Sequence, residues 1–190
     1  YLGSAYMYED YDAMKNALSS VAKNISTKGL PKSESPLVFA VTGTGRVAEG
    51  IIEVLECLPH VKIEPSNLQA YLELMKGEDA SKHNKNIIIT QFAAKDLVRL
   101  KEGPEDSVFD KADYYKNPAQ YESKFYEFLP MISFLVNGVY WEPKYPRVLT
   151  SAQLKEAKEN NCCKLMGVCD ISADYEGSIE FTRQFTSIEE

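Results

Sequence analysis

The sequence is poor in the groups that hold metals and in the runs that cross membranes. It has two histidines, His60 and His83, and four cysteines, Cys57, Cys162, Cys163 and Cys169. No CxxC pair occurs, so a zinc site is not expected. Cys162 and Cys163 are adjacent and cannot easily bridge each other, Cys57 falls on an expected helix, and Cys169 falls inside an apolar stretch. Four free thiols of a reducing compartment are the plain reading. No apolar run approaches the ~18 residues that a membrane helix needs. The opening YLGSAYMYEDY has no initiator Met, no basic region and no apolar core, so it is not read as a signal peptide. A start at Tyr1 suggests a piece of a longer chain. An excess of positive charge is missing too: Lys+Arg total 21 against 28 Asp+Glu, a net charge of −7, which argues against non-specific nucleic-acid binding. What remains is ordinary globular composition, 44% hydrophobic and 26% charged, and 190 residues suffice for one domain with a sizeable core.

The hydrophobic rhythm alternates between two periods. Residues 8–26 place Tyr11, Met14, Leu18, Val21, Ala22 and Ile25 at helical spacing. TKGLPKSESP then breaks the pattern and reads as a linker. LVFAVT (37–42) is a continuous apolar run, as in a strand covered on both faces. RVAEGIIEVLECL (46–58) puts Val47, Ile51, Val54, Leu55 and Leu58 on one helical stripe. VKIEP (61–65) reads as a short strand and SNLQAYLELMKG (66–77) as a helix capped by Ser66. The polar GEDASKHNKN leads to a third strand, NIIITQF (86–92). Residues 93–117 read as helix fragments and loop, and 118–131 as a helix. SFLVNGVYW (133–141) is a fourth strand, SAQLKEAKENN (151–161) a helix capped by Ser151, KLMGVCDIS (164–172) a fifth strand, and GSIEF (177–181) a candidate sixth. This alternation predicts an α/β fold, Rossmann-like and doubly wound on a mainly parallel sheet. Residues 1–30 form a connecting helix and linker; residues 31–190 form an NAD(P)-binding domain.

The first strand ends in Gly43-Thr44-Gly45-Arg46-Val47-Ala48, which fits G-x-G-x-x-G/A. Gly43 permits the tight turn, Gly45 lets a pyrophosphate approach the backbone, and Ala48 keeps the helix close to the sheet. The helix N-terminus offers free N–H groups to the phosphates. Glu64, 21 residues after Gly43, stands where an acid would hold the adenosine ribose. An acid there favours NAD(H), because it would repel a 2′-phosphate. Arg46 is either a phosphate contact or a solvated first-turn residue, and Gly50 is an extra small residue suited to helix packing. Two other readings stay open: a glycine turn without a ligand, and a methyltransferase-like domain that binds S-adenosylmethionine.

Ligands of open α/β sheets bind beyond the carboxyl ends of the strands. That selects Thr90, Gln91 and Phe92; Asn137 and Gly138, followed by Tyr140 and Trp141; and Asp170, Ile171, Ser172, Ala173 and Asp174. A nicotinamide would lie among the last two groups. Each has a plainer reading: a turn for Asn137-Gly138, packing for Trp141, a cap for Asp170. The two histidines look inert, and no nucleophile–base pair or metal cluster is visible, so no catalytic residue is assigned.

Three stretches, LPKSESPLVFAVTGTGRVAEG, NGVYWEPKYPRVLT and CDISADYEGSIEF, together with DKADYYKNPAQY, resemble the lysine-ketoglutarate reductase portion of the α-aminoadipic semialdehyde synthase family. The resemblance runs over nearly the whole chain. It implies a reductase that joins L-lysine and 2-oxoglutarate into saccharopine with a reduced nicotinamide cofactor, in lysine degradation. It implies NADP(H), against the reading of Glu64, with NAD(H) as the alternative. By motif, Gly43, Thr44, Gly45, Arg46 and Val47 would hold the pyrophosphate and Glu64 would sit near the adenosine. Asn137 and Gly138 would approach the nicotinamide, and Asp170, Ile171 and Ala173 would line the cleft. The family's acid/base lysine and histidine belong to a substrate domain and match nothing here. A homo-oligomeric full-length chain, in the mitochondrial matrix or the cytoplasm, is also implied. A nucleotide-binding regulatory module without catalysis is the competing reading.

Overall fold

The computed structural model describes residues 2–76, 84–104 and 108–184. His83, Gly77 as a helix end, and much of the polar connections around 77–86 and 102–107 lie outside the described residues. Helix α1 (Tyr11–Lys28) begins at Asp10, whose carboxylate accepts from Ala13 N at 2.7 Å, and ends at Gly29 with φ 77°. It buries Leu18 and Ile25, two residues of the expected stripe.

A five-stranded sheet follows. Its strands are β1 (Val38–Thr42), β2 (His60–Lys62), β3 (Ile87–Phe92), β6 (Phe134–Asn137) and β7 (Gly167–Asp170). Every pairing in it is parallel, and the order is β2-β3-β1-β6-β7. This is the Rossmann-like α/β architecture that the rhythm predicts. Its central strand is covered on both faces, as the unbroken apolar run requires: alternate residues of β1 enter two separate clusters. Val38 and Ala40 join the larger one with Leu68 and Leu72 of α3 (Pro65–Lys76). Val41 joins the smaller one with Ala48 of α2 (Arg46–Leu55), backed by Ile51, Ile52 and Leu55. Thus α2 and α3 lie on opposite faces.

Several local expectations are corrected. Helix α2 stops at Leu55, so Cys57 lies in the turn after it. Helix α3 starts at Pro65, where a missing N–H costs nothing, so Ser66 lies inside it rather than capping it. Helix α6 (Ser151–Glu159) is capped by Thr150, which forms a reciprocal box with Gln153, not by Ser151. Residues 118–131 are not an α-helix. They form two short 3-10 turns, Pro118–Gln120 and Phe125–Phe128, around strand β5 (Tyr121–Ser123). Strand β5 pairs antiparallel with β4 (Val98–Leu100), which follows the single-turn α4 (Ala94–Leu97). Aromatics at positions 121, 125 and 128 imitate helical spacing. Burial instead alternates over Tyr121-Glu122-Ser123, and Glu122 faces Arg99 across the pair at 2.8 Å. The expected sixth strand is only an isolated bridge, Leu149 to Ile179. Between β4 and β5 runs α5 (Lys111–Lys116), capped by Asp110.

Candidate functional site

The glycine turn occupies the space between the ends of β1, β3 and β6. Gly43 has φ +100°, and a Cβ there would stand 3.0 Å from Gly138 O, so only glycine fits. Its N–H donates to Phe92 O at 2.9 Å, and its carbonyl accepts from the Gln91 amide at 2.9 Å. The turn is therefore held by the strand beside it. Gly45 differs: a Cβ there would meet nothing within 4 Å. No packing demand among the described residues explains glycine at that position; the space above it is open. Gly45 also caps α2 without any side-chain hydrogen bond, which leaves the first N–H groups of the helix unpaired by a cap. Ala48 is fully buried against the sheet. Gly50, expected to aid packing, faces open space instead.

A cavity of about 500 Å³ opens at this turn. Gly43, Thr44, Gly45, Arg46 and Val47 line one side, and Gly138 lies between the two sides. Val47, placed by periodicity on the core stripe, is 48% exposed and faces the cavity. The opposite wall was legible from the sequence only at Tyr140 and Trp141. It consists of Ala94, Leu97 and Val98 with Tyr114, Tyr115, Tyr140, Trp141 and Tyr145. Tyr121 meets the Tyr114 ring edge-on and Tyr145 meets it at a tilt, with ring centres 5.1 and 5.4 Å away. Burial, with Tyr145 and Tyr115 beside it, pushes the Tyr114 hydroxyl up to about 12. Asp113 anchors this wall by accepting from Tyr121 Oη and Asn117 Nδ2, each at 2.8 Å. Tyr114 and Tyr115 of this wall come from DKADYYKNPAQY, a stretch read from the sequence only as part of the family resemblance.

Among the described residues, the cavity's charged lining is Arg46 and Arg147, and no carboxylate lines it. Arg147 is occupied. It donates to Gly177 O and Glu176 O at 3.0 Å and to Glu180 Oε1 at 3.3 Å, and its guanidinium lies 5.5 Å from the Trp141 ring centre. The Trp141 N–H donates to Tyr145 O and Pro146 O. Trp141 thus packs and faces the cavity at once.

The remaining candidates lie elsewhere. Asn137 is fully buried, and its amide is spent inside the fold. It accepts from Thr42 Oγ1 at 2.6 Å and donates to Asp170 Oδ1 and Ser178 Oγ, both at 2.8 Å. Thr42, Asn137 and Asp170 are register partners on three adjacent strands, so this is a polar ladder across the sheet's carboxyl edge. Asp170 also accepts from Ser172 and Thr182, at 2.7 and 2.6 Å, tying the segment after β7 to that edge. Asp170 and Ala173 line a second, more open groove with Thr182 and Arg183. Ile171 is 45% exposed and lines neither. Glu64 is exposed beyond β2 and lines neither. All four cysteines are free thiols. Among the described residues there is no cluster able to hold a metal ion, and no helix is long and apolar enough to cross a membrane.

No family model matches the chain. Over 99% of its length it is 39% identical to "Alpha-aminoadipic semialdehyde synthase" of Arabidopsis thaliana. Over its whole length it is 35% and 34% identical to the proteins of Mus musculus and Bos taurus named "Alpha-aminoadipic semialdehyde synthase, mitochondrial". The chain is homologous to one segment of alpha-aminoadipic semialdehyde synthase. It spans about a fifth of these relatives' length, 18% of the plant protein and 21% of the mammalian ones. The homology covers the glycine turn, the aromatic wall and the polar ladder alike, and it agrees with the resemblance carried by the three sequence stretches.

Proposed function

We propose that this chain is the nicotinamide-cofactor-binding domain of a lysine–2-oxoglutarate reductase, which forms saccharopine in lysine degradation. The observation that carries this reading is the glycine turn that opens, at Gly45, into a cavity of about 500 Å³ that no carboxylate lines among the described residues. A diphosphate needs that combination: close backbone approach, uncapped helix N–H groups and no repelling acid. Gly43 to Val47 would hold the pyrophosphate. The aromatic wall gives rings against which a base or nicotinamide would pack, and it would keep water from one side of the ligand. The bound cofactor, NADP(H) with NAD(H) as the alternative, supplies the hydride that converts the lysine–oxoglutarate imine. The asparagine of the polar ladder acts through Gly138: its three hydrogen bonds fix the strand end from which that glycine meets the cavity. L-lysine and 2-oxoglutarate, the acid/base groups and a homo-oligomeric assembly belong to the longer enzyme in this reading, and its place is the mitochondrial matrix or the cytoplasm.

Trp141 is the single tryptophan of the sequence and lines the cavity, so its fluorescence reports occupancy directly. Titration with NADPH and with NADH should quench it saturably, while S-adenosylmethionine should not. Calorimetry gives an independent reading. Binding of neither nicotinamide at millimolar concentration refutes the proposal, and saturable binding of S-adenosylmethionine instead would turn the site into a methyl-donor pocket.

A further inference from the structure

Parallel sheets are covered on both faces, and the crossovers of this chain leave part of one face bare. A right-handed strand–helix–strand connection puts its helix on the face set by its direction of travel across the sheet. From β1 to β2 the chain travels one way, and α2 lies over the face of Val41. From β2 to β3, from β3 to β6 and from β6 to β7 it travels the other way. Accordingly α3 and α6 pack against the opposite face, through Leu68 and Ala157. Among the described residues, no crossover between β1 and β7 brings a helix over the α2 face of β6 and β7. Helix α1 does not fill the place. It meets α2 at Glu53, about 120° around that helix from Val47. Its end, Gly29-Leu30, bonds to Asn84 ahead of β3.

The side chains on that bare face are apolar. Leu135 and Val168 point into the large cluster, so by strand alternation Phe134, Val136, Gly167 and Cys169 point to the α2 face. Phe134 and Val136 are half-buried and join neither cluster, and Cys169 is exposed. A Cβ on Gly167 would meet the Phe134 ring at 2.9 Å, so the floor is low there. One wall is α2, where Val47, Gly50 and Val54 share a stripe beside Gly138. A glycine inside a helix is destabilising relative to alanine, and Gly50 has no neighbour within 4 Å that would demand one. Glycine does let a second backbone come close. We propose that this trough between α2 and β7 seats an apolar helix of the longer polypeptide to which the chain belongs. The trough is two strands wide, roughly 10 Å, which is the width of one helix. Its residues carry no charge, which suits an apolar helix face. The relatives hold ample further chain, since the matched segment is 18% of the plant protein and 21% of the mammalian ones. The inference rests on the reading above that the chain is one domain of a larger enzyme.

Two exposed thiols make the test internal: Cys169 lies in the trough and Cys162 lies outside it, after α6. N-ethylmaleimide is applied to this chain and to the full-length polypeptide, and peptide mass spectrometry reads each cysteine. Both thiols should react in the chain by itself. In the full-length polypeptide Cys169 should react at least about tenfold more slowly, while Cys162 keeps its rate. Gly50→Gln should leave the melting temperature of the chain by itself unchanged or raise it. In the full-length polypeptide the same substitution should lower the melting temperature and return Cys169 to reaction. Equal reaction of Cys169 in both proteins overturns the proposal. Full protection and an unchanged melting temperature in full-length Gly50→Gln overturn it as well, because a helix seated on Gly50 leaves no room for the added side chain. Protection of Cys169 in the chain by itself also overturns it, and protection that grows with concentration, together with a dimer mass, names a second copy as the occupant. A native polypeptide no longer than this chain is the distinct failure of the underlying reading, and it removes the occupant with it.

Discussion

Two glycines one residue apart do opposite work. Gly43 is demanded by the fold: φ +100° and a Gly138 carbonyl 3.0 Å from any Cβ. Gly45 is demanded by nothing among the described residues: its φ is −99° and its Cβ position is empty. Gly43→Ala should therefore cost about 1–3 kcal/mol of stability, measured by urea unfolding. Gly45→Val should change stability by no more than about 1 kcal/mol, yet abolish cofactor binding, with the circular dichroism spectrum retained. Loss of stability at both positions alike would remove the distinction. The sequence marked both glycines by motif, because spacing alone defines the turn. It did not reveal that Asn137 is consumed by Thr42, Asp170 and Ser178, because those partners lie 95, 33 and 41 residues away.

At the level of elements, cap and strand chemistry decide where periodicity is ambiguous. Both Thr150 and Ser151 can cap a helix, but only Thr150 stands three residues before a Gln, the capping-box spacing that the sequence reading passed over. The reciprocal bonds between Thr150 and Gln153 choose Thr150. Thr150→Ala should lower the stability of the fold by about 1 kcal/mol, while Ser151→Ala should be near neutral. Thermal unfolding of the two variants checks this, and the reverse ranking would restore the sequence reading. The β4–β5 pair was hidden for another reason. Each strand is three residues long, too short for alternation to stand out. Only the pairing of Arg99 with Glu122, 23 residues apart, shows the two as partners. The long parallel strands β1 and β3 were legible because burial on both faces leaves a continuous apolar run.

The whole molecule is a sheet with one carboxyl edge, and the edge sorts the candidate residues. Six of the eleven expected site residues, Gly43 to Val47 with Gly138, meet at one cavity. Asp170 and Ala173 face a separate groove, Asn137 is internal, and Glu64 and Ile171 line neither. No general acid or base is assigned to the cavity, and the chain spans about a fifth of its relatives. The chain alone should accordingly show no NADPH oxidation that depends on both L-lysine and 2-oxoglutarate, monitored by absorbance. Turnover would place the acid/base groups within these residues and refute the division proposed here. The sequence by itself determined the α/β class, the glycine turn and the homology, because strand and helix periods, a G-x-G-x-x-A spacing and residue identity are local or linear properties. Which strand lies beside β1 is neither. Periodicity marks VKIEP and NIIITQF as strands without saying which lies beside β1, and only packing sets β3 between β2 and β1. That placement takes Glu64 away from the glycine turn, where among the described residues no acid lines the cavity that Arg46 faces.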